Sequence, residues 1–423
     1  MRRARAALVA ATLVGLVACG GEVATQEVST ERTSDHSGRA TSLDFIGELR
    51  RPALPTRPGP VSEEAAPAGA DETVRAQPAG PPAPPGGPGP DQPAPGPVNV
   101  FAATISPTLS PAVAGIPPRV YVPNSDAGTV SVIDPATLEV IDRFAVGQIP
   151  HHVTPSWDLT KLYVNNTGSN TLTVIDPKTA KPSGEIAVDD PYNLYFTPDG
   201  TKAIVVAERL KRLDFRDPET WELIKSVPIP WAGADHLDFS ADGKYLMVST
   251  EFTGKVAKVD TERMELVGAA EVGSLPIDVK VSPDGSVFFV TNQGRHGVSI
   301  VDPETLTEIG FLPTGRGAHG LNYSRDTETL YVSNRLAGTI SLIDVASRTV
   351  RGTWNVGGSP DMIQINPDGS QLWVSGRYHG NVVVVDTATG NVIKSIRTGA
   401  GAHGLAYFPA PGHHSVGHNG VYR

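Results

Sequence analysis

From residue 119 to residue 408, short apolar runs alternate with turns that are rich in Gly, Pro, Asp and Asn. Such runs, enriched in Val, Ile, Tyr and Thr and bounded by turn residues, are typical of β-strands. One run recurs with a closing aspartate, as VSVID, LTVID, LDFRD, VAKVD, VSIVD, ISLID and VVVVD. The closing aspartates are spaced by 42, 41, 43, 42, 42 and 42 residues, at Asp134, Asp176, Asp217, Asp260, Asp302, Asp344 and Asp386. This spacing predicts seven copies of one structural unit.

Each unit is predicted to supply four strands. A turn such as SPDG (282–285) or NPDG (366–369) precedes a run such as FFVTN or LWVSG, and the aspartate-closed strand follows. A fourth strand, such as 139–146, completes the unit. Four strands in about 40–45 residues describe one blade of a β-propeller. The sequence therefore predicts an all-β fold, a seven-bladed β-propeller with four-stranded blades.

The two ends of the repeat array indicate how the ring closes. The first copy begins at its second strand, 120–123, and an extra strand, 404–408, follows the seventh copy. We therefore expect the C-terminal strand to close the first blade, because closure removes exposed sheet edges. The propeller is predicted to span residues 118–409, and residues 410–423 form a histidine-containing tail.

Three tetrapeptides at equivalent positions carry a family resemblance: YVPN (121–124), YVNN (163–166) and YVSN (331–334). With GTVSVID and SPDG, they make the chain similar to the YVTN repeat family of seven-bladed β-propellers. That family includes exported and surface-layer proteins without assigned chemistry. It is also distantly similar to the haem-carrying propeller of dissimilatory nitrite reductase, although that propeller has eight blades. The resemblance implies the fold and leaves the function open.

The N-terminus has the pattern of an export signal. Basic residues are followed by an apolar run, 6–18, which is too short to span a bilayer. The run ends in Leu-Val-Ala before Cys19, which resembles a bacterial lipobox and implies cleavage of residues 1–18 and lipidation of Cys19. Attachment to a membrane would then be by lipid alone, at the outer membrane or cell surface, with the periplasm as the other location. The alternative is an ordinary signal peptide followed by a chance cysteine.

Residues 19–117 are predicted to form a disordered, lipid-anchored tether. Between Pro52 and Pro97, 15 of 46 residues are proline, which excludes regular helices and sheets. Such a segment is extended and acts as a semi-rigid spacer. The C-terminal tail, with His413, His414 and His418, is expected to leave the propeller at the face opposite the rim described below. It either binds metal or plugs the channel.

Composition and missing motifs argue against several functional classes. The net charge of −10 argues against a nucleic-acid partner, because phosphate binding needs a concentrated positive field. Cys19 is the only cysteine, so no intramolecular disulfide can form. The sequence has no CxxCH haem motif, no Gly-rich phosphate loop after a strand and no Gly-x-Ser-x-Gly elbow. We expect a monomer without a recognisable catalytic set.

Candidate site residues lie where the repeats differ, at the channel rim where each innermost strand begins. The candidate metal ligands are His151, His152, His236, His319, Asp361 and His403, with Asp235 and Asp278 beside them. Arg335 and Arg377, in neighbouring loops of adjacent blades, are candidates for holding an anionic cofactor or ligand. Imidazoles suit Cu, Zn, Fe or Ni. The alternative is structural: histidine loops that hydrogen-bond a neighbouring blade and stabilise the rim.

Three functions remain open on this basis. The leading hypothesis is a non-enzymatic, lipid-anchored binding module for a protein or small ligand on the channel face. The second is a protein that binds a transition metal or haem-type cofactor, including an oxidoreductase, through His319, Asp361, His403 and His151. The third, a lactonase-like hydrolase, rests on fold analogy alone.

Overall fold

The computed structural model describes residues 99–418 and 421–423. They belong to the second of the two units into which the chain divides, 88–423. The predicted signal peptide, the lipidation site at Cys19 and the tether up to residue 98 lie outside the described residues. Among the described residues, no helix is long and apolar enough to cross a membrane.

Seven four-stranded antiparallel sheets confirm the predicted propeller. Blade 1 consists of β28 (Ala406–Phe408), β1 (Arg119–Asn124), β2 (Thr129–Asp134) and β3 (Glu139–Ala145). Blade 2 consists of β4 (Pro150–Pro155), β5 (Leu162–Asn166), β6 (Thr171–Asp176) and β7 (Lys181–Ala187). Blade 3 consists of β8 (Asn193–Phe196), β9 (Ala203–Ala207), β10 (Arg212–Arg216) and β11 (Leu223–Pro228). Each blade is written from its innermost to its outermost strand.

The remaining blades repeat this order. Blade 4 consists of β12 (Ala234–Phe239), β13 (Tyr245–Thr250), β14 (Lys255–Asp260) and β15 (Glu265–Glu271). Blade 5 consists of β16 (Pro276–Val281), β17 (Phe288–Asn292), β18 (Gly297–Asp302) and β19 (Thr307–Pro313). Blade 6 consists of β20 (Ala318–Tyr323), β21 (Thr329–Asn334), β22 (Thr339–Asp344) and β23 (Thr349–Asn355). Blade 7 consists of β24 (Pro360–Ile365), β25 (Gln371–Gly376), β26 (Asn381–Asp386) and β27 (Val392–Arg397).

The ring closes as the sequence predicts. Strand β28 pairs antiparallel with β1, with Phe408 opposite Arg119 and Ala406 opposite Tyr121. Phe408 is buried in the same apolar cluster as Tyr121. The first blade is therefore completed by the C-terminal strand.

Burial decreases from the channel to the periphery. Every residue of β4 is buried, whereas β3 at the periphery is exposed or half-buried throughout. The innermost strands are enclosed by their neighbours on both sides, so a polar side chain at the channel must find a partner inside the protein. The rim histidines are all buried, so their contacts inside the protein indicate what they do.

The structure corrects the predicted end of the tether at residue 117. Residues 99–117 pack on the propeller and include a short helix, Ala102–Ile105, and a 3-10 turn, Pro111–Val113. The Phe101 ring lies 5.1 Å from that of Tyr323, centroid to centroid, and is only 5% exposed. Phe101, Val113 and Ile116 of this segment are buried, and burial of apolar side chains stabilises the packed form relative to a solvated spacer.

Candidate metal centre in the central channel

Five innermost strands carry a β-bulge at their rim end. In blade 2 the register changes between Pro150 and Val153, so that His151 and His152 together face Asn165 of β5. The same shift occurs in blades 4, 5, 6 and 7. A bulge bends its strand and redirects side chains. Backbone geometry thus places two consecutive residues at the rim in each of these five blades.

Hydroxyl side chains fix these bulges to the next blade. Oγ of Ser249 accepts the N–H of His236 at 3.2 Å and donates to the carbonyl of Ile277 in blade 5 at 2.5 Å. Thr291 and Ser333 make the equivalent pair of bonds in blades 5 and 6. Each bulge is therefore held from both sides, which pre-positions the rim side chains.

The glycine after each GAH sequence is required by close packing. A Cβ at position 404 would lie 1.9 Å from Nδ1 of His152, and one at position 320 would lie 2.5 Å from the carbonyl oxygen of Asp361. Glycine at these positions lets the neighbouring blade approach. The GAHGL sequences thus combine a structural glycine with a buried histidine.

The C-terminal tail enters the channel and brings His418 to the rim histidines. After β28 the chain returns along the free edge of β8, where the N–H of Phe196 donates to the carbonyl of Val416 at 3.0 Å. Gly417 forms a β-bridge with Tyr195. The ring centroid of His418 lies 4.1 Å from that of His152 and 4.6 Å from that of His236. The expectation that the tail histidines stay at the opposite face is therefore wrong for His418, and the tail plugs the channel.

His152, His236 and His418, hereafter the channel triad, form a group of three histidines that could hold a metal ion. Their candidate donor nitrogens all lie within 4.8 Å of one another, and this is the one such group among the described residues. The side chains are at most 1% exposed. Nitrogens on one tetrahedral zinc would be about 3.3 Å apart, given Zn–N bonds of about 2.0–2.1 Å. The present separations, up to 4.8 Å, are wider than that, so the three rings would have to move closer together to share one ion.

The electrostatics of the channel triad favour neutral imidazoles at two positions. Burial holds the pKa of His152 and of His418 well below the usual 6.5. Burial also opposes a charge on His236, but the carboxylates of Asp235, Asp278 and Asp361 together outweigh it, and the pKa of His236 is raised. Nδ1 of His236 lies 2.6 Å from Oδ1 of Asp235. Apart from this contact, none of the six ring nitrogens has a hydrogen-bond partner among the described residues.

A second group, hereafter the rim cluster, consists of His319, Asp361, His403 and Arg335. Nε of Arg335 donates to Oδ1 of Asp361 at 3.0 Å, and Nη2 of Arg335 contacts both this oxygen and Nε2 of His319. Nδ1 of His319 lies 3.0 Å from Oδ1 of Asp361, and Nε2 of His403 lies 3.5 Å from Oδ2. The structure thus brings three of the four expected inner contacts together, but around an arginine rather than as a metal-ligand set.

The other predicted site residues lie at the edges of these two groups. Nδ1 of His151 is 3.2 Å from Oγ1 of Thr167, and the His151 ring stands edge-on to His403 at 5.0 Å. Arg377 donates to Oγ of Ser125 at 3.1 Å. Burial, together with the guanidiniums of Arg335 and Arg377, lowers the pKa of His319 and of His403 well below 6.5. Arg335 already has a counter-ion in Asp361, which weakens its predicted role toward an anionic cofactor.

The family model of YNCE-like β-propellers matches residues 95–411. The chain belongs to this family. No curated protein matches the sequence. The matched range begins before the first described residue and ends just after β28. It therefore covers the whole propeller of this YNCE-like chain, but not the tail residue His418.

Solved structures with the same fold are only distantly similar to this YNCE-like propeller. A functionally unknown protein from Desulfotomaculum acetoxidans aligns with a TM-score of 0.60 at 19% identity, covering 68% of this chain and 98% of that chain. Hydrazine synthase from Kuenenia stuttgartiensis aligns with a TM-score of 0.53 at 20% identity, covering 60% and 87%. The dihydro-haem d1 dehydrogenase NirN aligns with a TM-score of 0.54 at 18% identity, covering 69% and 75%. These likenesses show the fold and do not identify a ligand.

Proposed function

We propose that the protein is a metal-binding β-propeller that holds one first-row transition-metal ion between His152, His236 and His418. The observation that carries this proposal is the set of buried ring nitrogens without hydrogen-bond partners among the described residues. Buried polar atoms are nearly always satisfied, and groups that are not often mark an ion or a water. Imidazole nitrogens suit Zn, Cu, Fe and Ni, and the usual order of affinities places Cu²⁺ first.

Asp235 supports the choice of His236 as a ligand. A metal-bound histidine usually donates its other ring N–H to a carboxylate, which fixes the tautomer and the ring orientation. Because Nδ1 of His236 lies 2.6 Å from Oδ1 of Asp235, Nε2 is the nitrogen left for a metal. Three protein ligands leave one tetrahedral position for water or a small ligand.

The size of the site favours a single ion over a haem-type cofactor. The tail lies along β8 and buries His418 and Val416 within the channel. A macrocycle at this level would have to displace the tail, whereas an ion fits between the three rings. We further propose that this metal-binding module is held at the cell envelope by a lipid on Cys19, which the lipobox-like sequence supports.

Metal analysis and calorimetric titration of the full chain without a histidine tag test the proposal. After treatment with a chelator, we expect the protein to bind one equivalent of Zn²⁺ or Cu²⁺. His236→Ala and His418→Ala should each weaken binding by more than about 100-fold, since loss of an outer-sphere partner alone costs about 10–100-fold. Asp235→Asn should fall within that outer-sphere range.

The controls use histidines outside the channel triad. His413→Ala removes an exposed histidine of the same tail, and His319→Ala removes a buried histidine of the rim cluster. Both should titrate like the wild type, provided circular dichroism shows that they are folded. Equal binding by wild type and His418→Ala, or loss of binding only in His319→Ala, would refute the assignment.

A further inference from the structure

A small cavity lies at the end of the innermost strands opposite the rim, next to Tyr422 of the tail. It is lined by Lys280 of β16, Gln364 of β24 and Tyr422 of the tail, together with Phe101 and Arg325. It has room for about two water-sized groups. The residues that line it come from blades 5, 6 and 7, the tail and the packed segment after residue 99, so the cavity forms only where the tail and this segment pack on the propeller.

Three hydrogen-bond donors around this cavity have no partner among the described residues. They are Nζ of Lys280, Nε2 of Gln364 and Oη of Tyr422. Their side chains belong to residues that are 3%, 2% and 1% exposed. A buried donor without an acceptor is unfavourable, and an unpaired buried ammonium is more so. Three such donors at one small cavity point to an acceptor held between them.

The carboxylates near Lys280 are already engaged. Oδ1 of Asp238 lies 2.7 Å from Nη2 of Arg423, and its Oδ2 accepts the N–H of Val281 at 3.0 Å. Asp278 accepts the N–H groups of Leu321 and Val279 at 2.8 and 2.9 Å. Nζ of Lys280 has no hydrogen-bond partner among the described residues, so an acceptor from outside the protein would satisfy it, and the ammonium favours one with negative charge.

The guanidinium of Arg325 adds to the positive character of the cavity. It donates to the backbone carbonyls of Asn366 and Ile365 at 3.0 and 2.8 Å, and both acceptors are neutral. An anion in this cavity would thus face a lysine and an arginine, with an amide and a phenol as further donors. The small volume favours a small anion over sulfate, phosphate or larger carboxylates.

We propose that Lys280, Gln364 and Tyr422 bind a monovalent anion of halide size in this cavity. The anion would connect the tail to blades 5 and 7, because Tyr422 lies in the tail and the other two residues lie on β24 and β16. This site is separate from the channel triad and does not depend on its occupancy by metal.

Bromide provides the probe. Crystals of the full chain grown in sodium bromide should show an anomalous peak within hydrogen-bond distance of Nζ of Lys280, Nε2 of Gln364 and Oη of Tyr422. In solution, thermal melts in sodium bromide are compared with melts in sodium gluconate at equal ionic strength. The bromide should raise the melting temperature, since a ligand that binds only the native state stabilises it.

Two variants and one control keep the result specific. Tyr422→Phe removes only the hydroxyl, and Lys280→Met removes the charge at similar length. Each should raise the dissociation constant for bromide, obtained from the dependence of the melting temperature on bromide concentration, by about tenfold or more. Lys244→Met, at an exposed lysine, should leave the response unchanged. Water refined at this position without an anomalous peak, or a Tyr422→Phe protein that responds to bromide like the wild type, would overturn the proposal. Zinc titration of the same variants should be unaffected, so this outcome is distinguishable from failure of the metal proposal.

Discussion

Two truncations separate the contribution of the closing strand from that of the tail. A chain ending at Pro409 loses the buried side chains of Val416, Val421 and Tyr422. At about 1.5–3 kcal/mol for each buried large side chain, this removes roughly 5–9 kcal/mol of stabilisation. A chain ending at His403 additionally loses Leu405, Tyr407 and Phe408, which are 1%, 6% and 1% exposed. That adds roughly the same amount again.

The expected result is a graded loss of stability. Domains are stable by about 5–15 kcal/mol in total, so the chain ending at Pro409 should unfold at clearly lower urea concentration and the chain ending at His403 should not fold. Circular dichroism during urea titration measures both midpoints. Phe408→Ala in the full chain keeps the backbone pairing and should cost about 3–5 kcal/mol. If the two truncated chains unfold at the same midpoint, β28 does not contribute what its burial implies.

Four further outcomes are expected. Phe101→Ala should lower the unfolding free energy by about 3–5 kcal/mol, because the ring is buried against the propeller. Gly404→Ala should weaken zinc binding, because its Cβ would collide with Nδ1 of His152. Backbone N–H groups that bond the carboxylate of Asp302 lower its pKa, so its stabilisation is present above the unfolded value near pH 3.9 and is lost as the pH falls through the folded value. Cys19→Ala should release the protein from membranes in fractionation with detergent controls.

Each of these outcomes has a matched comparison. Ile105→Ala, in the same segment as Phe101 but 42% exposed, should change stability little. Gly352→Ala meets no atom within 4 Å and should titrate with zinc like the wild type. Asp302→Asn should show a shallower loss of stability on acidification than the wild type in urea titrations at several pH values. Unchanged membrane retention of Cys19→Ala would contradict the proposed lipid anchor.

The blades were predictable because each repeat carries its own local signals. Asp302, for example, accepts the N–H groups of Glu304 and Thr305 at 2.8 and 3.2 Å, which caps the turn after its strand. A carboxylate at a fixed position after an apolar run reports this turn directly in the sequence. The same reasoning located the closing strand. The first repeat lacks its innermost strand, so the missing strand must come from the other end of the chain.

The rim was predictable in position but not in chemistry. Counting back from the turn aspartates located His152, His236 and Asp361 at the channel, but their grouping depends on bulges that the repeat spacing does not reveal. A signal for those bulges exists: Ser249, Thr291 and Ser333 each lie 13 residues after the residue whose N–H they accept. The contacts between blades that turn His319 toward Arg335 and His152 toward the tail have no comparable local pattern.

His418 lies outside the repeats, so periodicity carries no information about it. Its place is set by pairing of the tail with the free edge of β8 and by burial of Val421 and Tyr422, contacts that join residues more than 200 positions apart. The tail follows directly after β28, which pairs with β1, so the segment that brings His418 to β8 is continuous with the strand that closes the ring. In the closed ring, this arrangement completes the proposed metal site. An ion that binds only the closed ring stabilises it relative to any open form. A metal in the channel would therefore raise the stability of the fold whether or not it takes part in chemistry.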